Sequence, residues 1–165
     1  MKKYLFLFTL AGLLVSCKQD ANQEEEKPPP LALSKILPGT WEIVHLTVTV
    51  NSYNNTDSSY VEEIREEQWE KVFFVKPVRT FYELDNKYRR AYLDANEELM
   101  SESRGMWNTF NDTLMMIEPD ATYQYIVEKQ PNGLLKFSGL IDWDSDGQED
   151  DEYVAMQRYI SRTTN

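Results

Sequence analysis

The sequence predicts an all-β domain, an antiparallel up-and-down meander of about eight strands. Three observations support this fold class. The 165 residues include ten Tyr and seven Phe, which favour strands over helices. Short segments alternate between apolar and polar residues along most of the chain. Turn-forming residues separate these segments at regular intervals.

The first strand is predicted over Glu42–Val50. Val44, Leu46, Val48 and Val50 recur at every second position, so a regular strand would place them on one face. Trp41 and Ile43 would then lie on the opposite face.

The next part of the chain is a polar loop and a single helical candidate. Asn51–Ser59 shows no hydrophobic periodicity. Residues 62–71 predict one short helix, although Ile64 and Trp69 are not at ideal helical spacing.

The remaining segments complete the meander. Turn chemistry between them includes Asp85-Asn86 and Pro131-Asn132-Gly133. About eight such strands are enough for a small closed barrel. The predicted strands are Val78–Leu84, Tyr88–Asp94, Glu98–Trp107, Thr113–Ile117, Thr122–Lys129, Leu134–Trp143 and Glu152–Ile160.

The N-terminal residues are typical of an export signal. Two lysines precede an apolar run, Tyr4–Val15, which is too short to span a membrane. The run ends in Leu14-Val15-Ser16-Cys17, which resembles a bacterial lipobox. The resemblance implies that residues 1–16 are a signal peptide and that Cys17 is lipidated. The lipid on Cys17 would attach the protein to a membrane, so a membrane is an expected partner.

A tether is predicted over residues 17–34, before a barrel domain over residues 35–165. Lys18, rather than Asp, follows Cys17, which by resemblance to Gram-negative sorting rules indicates the outer membrane. Asp20 and the acidic run Glu24–Glu26 resemble surface-export signals. Three consecutive prolines favour an extended tether.

Charge excludes one class of partner. The formal net charge is −11, whereas nucleic-acid binding needs a basic surface that neutralises phosphates. We therefore expect no nucleic-acid partner.

Two Gly-x-Trp motifs resemble the lipocalin pattern. Gly39-Thr40-Trp41 opens the first strand, and Gly105-Met106-Trp107 precedes the turn at Asn111-Asp112. The resemblance covers residues 33–162 and implies a closed barrel with an internal calyx. It also implies that a basic residue of the last strand stacks on Trp41. Arg158 maps to that position, with Arg162 as the second choice.

Aromatic residues in successive strands are candidates for lining a ligand pocket. The interior of an eight-stranded barrel is either filled by such side chains or open to a ligand. A Tyr- and Trp-rich surface for carbohydrate or protein is a third alternative. The candidate lining residues are Tyr82, Tyr92, Trp107, Met115, Tyr123 and Tyr125.

The acidic stretch Asp142–Tyr153 has two interpretations. Asp142, Asp144 and Asp146, followed by Gly147, match the start of a calcium loop, with Asp150 at the ninth position. The twelfth position is Tyr153 rather than Glu, so the loop is not an EF-hand. Alternatively, Asp146-Gly147 is a tight hairpin turn between two strands.

The sequence does not predict an enzyme. His45 is the only histidine, and no Ser-His-Asp or Cys-His set can be assembled. We expect a lipid-anchored barrel that binds a small apolar or amphipathic ligand. The alternative is an interaction module with a filled barrel and a calcium-stiffened loop.

Overall fold

The computed structural model describes residues 32–162. The predicted signal peptide, Cys17 and the tether up to residue 31 lie outside this range. The strands are β1 Gly39–Val50, β2 Tyr60–Arg65, β3 Arg79–Tyr82, β4 Lys87–Leu93, β5 Leu99–Phe110, β6 Thr113–Ile117, β7 Thr122–Lys129, β8 Leu135–Ile141 and β9 Asp151–Ser161. The short helices are α1 Leu33–Ile36 and α2 Trp69–Val72, and 3-10 turns cover Tyr53–Asn55 and Glu66–Gln68.

Eight of these strands form a closed antiparallel barrel. From β3 onward, each strand pairs with its neighbour in sequence. β9 then pairs with β1, and β1 pairs with β3, which completes the ring. The predicted all-β up-and-down barrel is confirmed. β2 is an additional strand that pairs with the second half of β1.

A β-bulge in β1 changes which of its residues face the core. The register with β9 shifts between Ile43 and His45, so Val44 is the extra residue. Trp41 and Ile43 are buried before the bulge, and Leu46 is buried after it. The sequence-based expectation that Trp41 and Ile43 lie on the face opposite Leu46 is therefore wrong.

The region predicted as one short helix is divided between two structures. Tyr60–Arg65 forms β2, and helical turns cover only residues 66–72. The helix prediction for this region is wrong because β2 lies outside the barrel. Ile64 is its only buried residue, so its pattern lacks the alternation of a barrel strand.

One end of the barrel is filled with side chains. Tyr82, Tyr88 and Phe137 are almost completely buried, and the ring centroids of Tyr82 and Trp107 are 5.8 Å apart. Leu37, just after α1, is buried at this end, and its carbonyl accepts a 2.8 Å hydrogen bond from the indole Nε1 of Trp41. We call this the closed end.

The glycines of both Gly-x-Trp motifs lie where neighbouring strands approach closely. A Cβ at Gly39 would lie 2.6 Å from the carbonyl oxygen of Ser161. A Cβ at Gly105 would lie 2.2 Å from the carbonyl oxygen of Ile117 and 2.8 Å from Cε1 of Tyr88. Only glycine fits at either position without moving backbone.

Arg158 does not stack on Trp41. In register, Arg158 lies opposite Glu42, on the other face of β1 from Trp41. Its Nη2 lies 2.6 Å from Oε2 of Glu42, and Arg79 Nε lies 2.8 Å from Oε1 of the same buried carboxylate. Tyr159 packs against Trp41 instead, with ring centroids 5.2 Å apart. Arg158 therefore joins strands through an ion pair rather than a cation–π contact.

No helix in residues 32–162 has the length and apolar character needed to cross a membrane.

Candidate functional site

A cavity of about 470 Å³ occupies the barrel interior at the end opposite the closed end. This volume lies within the usual range for small-molecule sites. Most of its lining is apolar. The apolar lining residues are Ile43, Leu46, Trp69, Phe73, Val75, Val78, Met100, Ile141 and Trp143.

The segment around α2 supplies one wall of this cavity. β1 pairs with β3 only over residues 39–42, so the barrel wall opens beyond this point. Trp69 and Phe73 lie in this opening, with ring centroids 4.9 Å apart. Trp143 extends this aromatic wall, and its ring centroid lies 6.4 Å from that of Phe73. Aromatic rings thus provide a large apolar surface beside the cavity.

Arg90 lies at the floor of the cavity. It lines both the main cavity and a second void of about 10 Å³ beneath it. Its guanidinium Nη1 lies 4.0 Å from Oε1 of Glu118, and Nη2 lies 3.9 Å from Sδ of Met116. The guanidinium carbon lies 5.7 Å from the ring centroid of Tyr123. A charged group therefore marks the boundary between the hollow and the filled parts of the barrel.

Tyrosines surround this guanidinium. Tyr92, Tyr125 and Tyr153 line the main cavity, and all three interact electrostatically with Arg90. Burial lowers the pKa of Arg90, but the tyrosine hydroxyls more than offset this and the pKa ends above its ordinary value. Arg90 is therefore charged at neutral pH, whereas the buried tyrosines are neutral.

The aromatic residues predicted to line a pocket fall into three groups. Tyr92, Tyr123 and Tyr125 line the main cavity, and Tyr82 lines only the small void. Trp107 does not reach either cavity. It packs at the closed end, where its indole Nε1 donates a 3.2 Å hydrogen bond to the carbonyl of Glu83.

Met115 does not belong to the interior. Its side chain is 40% exposed, whereas Met116 is buried and lines the small void. The placement of Met115 is corrected because side chains alternate along β6, and Leu114 and Met116 take the inward positions.

Arg90 was missed by the sequence analysis, although the chain carries a signal for it. Arg90 lies two residues from both Tyr88 and Tyr92 in β4, so the three side chains share one face. Tyr88 is buried and Tyr92 lines the cavity. Two inward tyrosines with a charged residue between them predict an interior cation.

Alkaline titration should show the buried tyrosines. Burial raises the pKa of Tyr125 to about 12, and it also raises the pKa of Tyr82 and Tyr153 above the ordinary value. A folded-state pKa above the unfolded value of about 10 stabilises the native state at lower pH. This contribution is complete below about pH 10 and is lost as the pH rises through about 12.

We expect phenolate absorbance to rise in two phases, the exposed tyrosines first and the buried ones only as the protein unfolds. The control is the protein in denaturant, where a single phase near pH 10 is expected. A single phase in the folded protein would contradict the burial of these side chains.

The acidic stretch is a nine-residue loop between β8 and β9, residues 142–150, that hydrogen-bonds to the loop after β1. Oδ2 of Asp144 accepts a 2.8 Å hydrogen bond from the backbone N–H of Asn54, and Oδ2 of Asp146 accepts one from Asn55. Asn54 and Asn55 both have positive φ. The carboxylates thus hold a left-handed turn in place. The alternative prediction, a two-residue hairpin turn at Asp146-Gly147, is wrong.

Three of the acids lie close enough to share a cation. Single oxygens of Asp142, Asp144 and Asp151 all lie within 4.8 Å of one another. Asp150, predicted at the ninth position, is elsewhere: its Oδ2 accepts a 2.7 Å hydrogen bond from the hydroxyl of Ser52. Calcium at this loop stays a prediction.

If calcium binds, millimolar calcium should raise the Tm, because a weak extracellular-type site would fill at that concentration. The Asp144→Asn variant should lose the response. Asp120, which is not part of the loop, provides the matched control as Asp120→Asn. An unchanged Tm in the wild-type protein would leave the loop explained by its hydrogen bonds alone.

His45 lies outside the cavity lining. Its Nε2 is 3.0 Å from Oε1 of Glu63 on the surface formed by β1 and β2, and both side chains are substantially exposed. This pair lies away from the residues that line the cavity.

Comparison with known proteins gives one structural likeness. No known protein family and no curated protein matches the chain. Among solved structures, the chain is similar to a lipocalin-like protein from Bacteroides uniformis ATCC 8492. The two share 11% sequence identity, with 75% of this chain and 98% of that chain covered and a TM-score of 0.43.

Proposed function

We propose that this protein is a lipid-anchored envelope lipoprotein whose barrel binds a small apolar or amphipathic ligand. The observation that carries the proposal is the cavity of about 470 Å³ inside the open half of the barrel. Burial of apolar ligand surface would supply most of the affinity.

The lining chemistry supports an amphipathic ligand in particular. Apolar side chains such as Leu46 and Ile141 form the walls, while Arg90 and the tyrosines provide polar groups at the floor. A few polar groups in a mainly apolar pocket fix the orientation of a ligand. Binding without chemistry is therefore the function that this site supports best.

The anchor and the location are supported by the sequence alone. The lipobox around Cys17 favours lipidation, and Lys18 favours the outer membrane, with the acidic tether favouring exposure at the cell surface. Cys17→Ala should abolish the incorporation of labelled palmitate into the protein, because the residue that carries the lipid is gone. Labelling of that variant equal to that of the wild-type protein would refute the anchor.

The ligand site can be tested with a neutral, environment-sensitive probe such as N-phenylnaphthylamine. We expect its fluorescence to rise on binding to the wild-type protein, because the probe leaves water for an apolar pocket. Ser101→Trp should abolish this rise, since Ser101 lines the cavity at an exposed position and the indole would fill the space.

Leu140→Trp is the matched control. Leu140 is 56% exposed and lies beside Ile141, whose side chain lines the cavity. The same bulk is thereby added to the outer face, and probe binding should persist. No binding to the wild-type protein, or equal loss in both variants, would refute the proposed site.

A further inference from the structure

Arg90 is surrounded by neutral groups rather than paired with a close carboxylate. Among the described residues, Glu118 is the only carboxylate that lies within 4.0 Å of it, and that distance is itself 4.0 Å. Oε1 of Glu118 also accepts hydrogen bonds from the hydroxyls of Tyr88, at 2.6 Å, and Ser103, at 3.0 Å. Glu118 is thus held by other donors and does not form a bidentate pair with Arg90.

Arg90 is held in the cavity by neutral groups, because tyrosine hydroxyls surround its guanidinium and Tyr125 hydrogen-bonds to it. The Arg90 side chain is only 20% exposed, and it lines the cavity floor. A buried charge is destabilising unless a counter-charge or hydrogen bonds replace the water that it has lost. The thioether of Met116, 3.9 Å from Nη2, is a poor acceptor for this purpose.

The remaining polar groups at the floor are neutral. Tyr92 and Tyr153 line the cavity beside Arg90. Asp142 is the one acid among the lining residues, and both of its carboxylate oxygens accept backbone hydrogen bonds from its own loop, from Asp146 and Gly147. The floor therefore presents one positive charge with hydroxyl groups around it.

We infer that the ligand is a single-chain amphiphile with a carboxylate head group, which Arg90 binds at the cavity floor. This inference rests on the proposed ligand-binding function and names the class of ligand. The two oxygens of a carboxylate match the planar fork of a guanidinium. The tyrosine hydroxyls donate to the same oxygens, and the alkyl chain lies along the apolar wall toward the mouth.

One negative charge fits this floor better than two. A single guanidinium neutralises a carboxylate, whereas a doubly charged phosphate would leave a net charge buried among neutral hydroxyls. A neutral head group would leave Arg90 without a close counter-charge, as it is in the free protein. The carboxylate is therefore the head group that gives both charges a close partner.

The test compares dodecanoate with dodecanol, two amphiphiles of equal chain length. Binding is followed through the fluorescence of the cavity tryptophans, Trp69 and Trp143. We expect dodecanoate to bind about tenfold or more tightly than dodecanol to the wild-type protein, because only the carboxylate forms charge-assisted hydrogen bonds. Arg90→Met should remove this preference while dodecanol binding persists.

Arg89→Met is the matched control. Arg89 is the preceding residue and lies on the other face of β4, with its guanidinium carbon 3.8 Å from the ring centroid of Phe81. The same charge is removed from outside the barrel, so the carboxylate preference should remain. Loss of preference in both variants would attribute it to net charge and overturn the inference.

The outcomes separate the two proposals. If neither amphiphile binds to the wild-type protein, the proposed function itself fails. If dodecanol binds as tightly as dodecanoate, the cavity binds ligands but the head-group inference is wrong. The wild-type comparison is sufficient for this decision even if Arg90→Met does not fold.

Discussion

Asp151→Ala is expected to destabilise the protein by about 3 kcal/mol, because it leaves two partly buried backbone donors without an acceptor. The carboxylate of Asp151 is fully buried. Its Oδ1 accepts a 2.8 Å hydrogen bond from the backbone N–H of Asn51, and its Oδ2 accepts one of 2.8 Å from Trp143. One side chain thus joins the loop after β1 to the loop after β8.

Chemical denaturation would measure this loss as a lower free energy of unfolding. Asp151→Asn should cost less, about half as much, because the amide keeps one acceptor oxygen. Asp150→Ala is the control: its carboxylate accepts from the hydroxyl of Ser52 at a partly exposed position, so we expect a loss below about 1 kcal/mol. Equal losses at positions 150 and 151 would refute the bridging role.

Gly105→Ala is expected to cost about 3 kcal/mol, at the upper end of the range for overpacked sites. The added methyl group would lie 2.2 Å from the carbonyl oxygen of Ile117, which is backbone and cannot rotate away. The ring of Tyr88 blocks the other side at 2.8 Å. β5 and β6 would have to separate at this point.

Gly133→Ala separates this steric effect from a general glycine effect. Gly133 has a φ of +83°, but a methyl group added there would meet no heavy atom within 4 Å apart from those of its own residue and its two chain neighbours. Its substitution should cost only about 1 kcal/mol, from backbone strain alone. Thermal unfolding of the two variants would compare them directly, and a smaller loss at Gly105 than at Gly133 would contradict the close approach.

The sequence predicted the strands best where alternation and turns agree. Thr113–Ile117 and Thr122–Lys129 begin and end where they were predicted, and turns bound both strands. In the second strand, Tyr123, Tyr125 and Val127 recur at every second position. The inward residues of both strands pack against a single core. The local sequence pattern and the tertiary packing therefore favour the same boundaries for these strands.

The sequence was least informative where tertiary contacts change the local pattern. The bulge at Val44 changes which side chains of β1 point into the barrel. The alternation of apolar and polar residues in the sequence does not reveal this bulge. β2 pairs only with β1 and buries only Ile64, so its acidic pattern is that of an exposed segment. Both cases depend on pairing partners that lie elsewhere in the chain.

The candidate site was predicted in part for the same reason. Aromatic residues in successive strands indicated an interior, but spacing alone cannot separate Tyr123, which lines the cavity, from Trp107, which packs at the closed end. That distinction depends on the height of a residue along the barrel. The order of residues within a strand gives the face, and only the register between strands gives the height.

The pairing of β1 with β9 has a consequence for how the chain folds. Successive pairings from β3 to β9 join strands that are neighbours in sequence, whereas Thr40 pairs with Ser161 across almost the whole domain. The hairpins therefore have low contact order, and the β1–β9 seam carries most of the loop-closure entropy. A circular permutant that links residue 162 to residue 32 and opens the turn at Gly133 would make that seam a local hairpin. It should refold faster than the natural order, and an unchanged refolding rate would show that the seam does not limit folding.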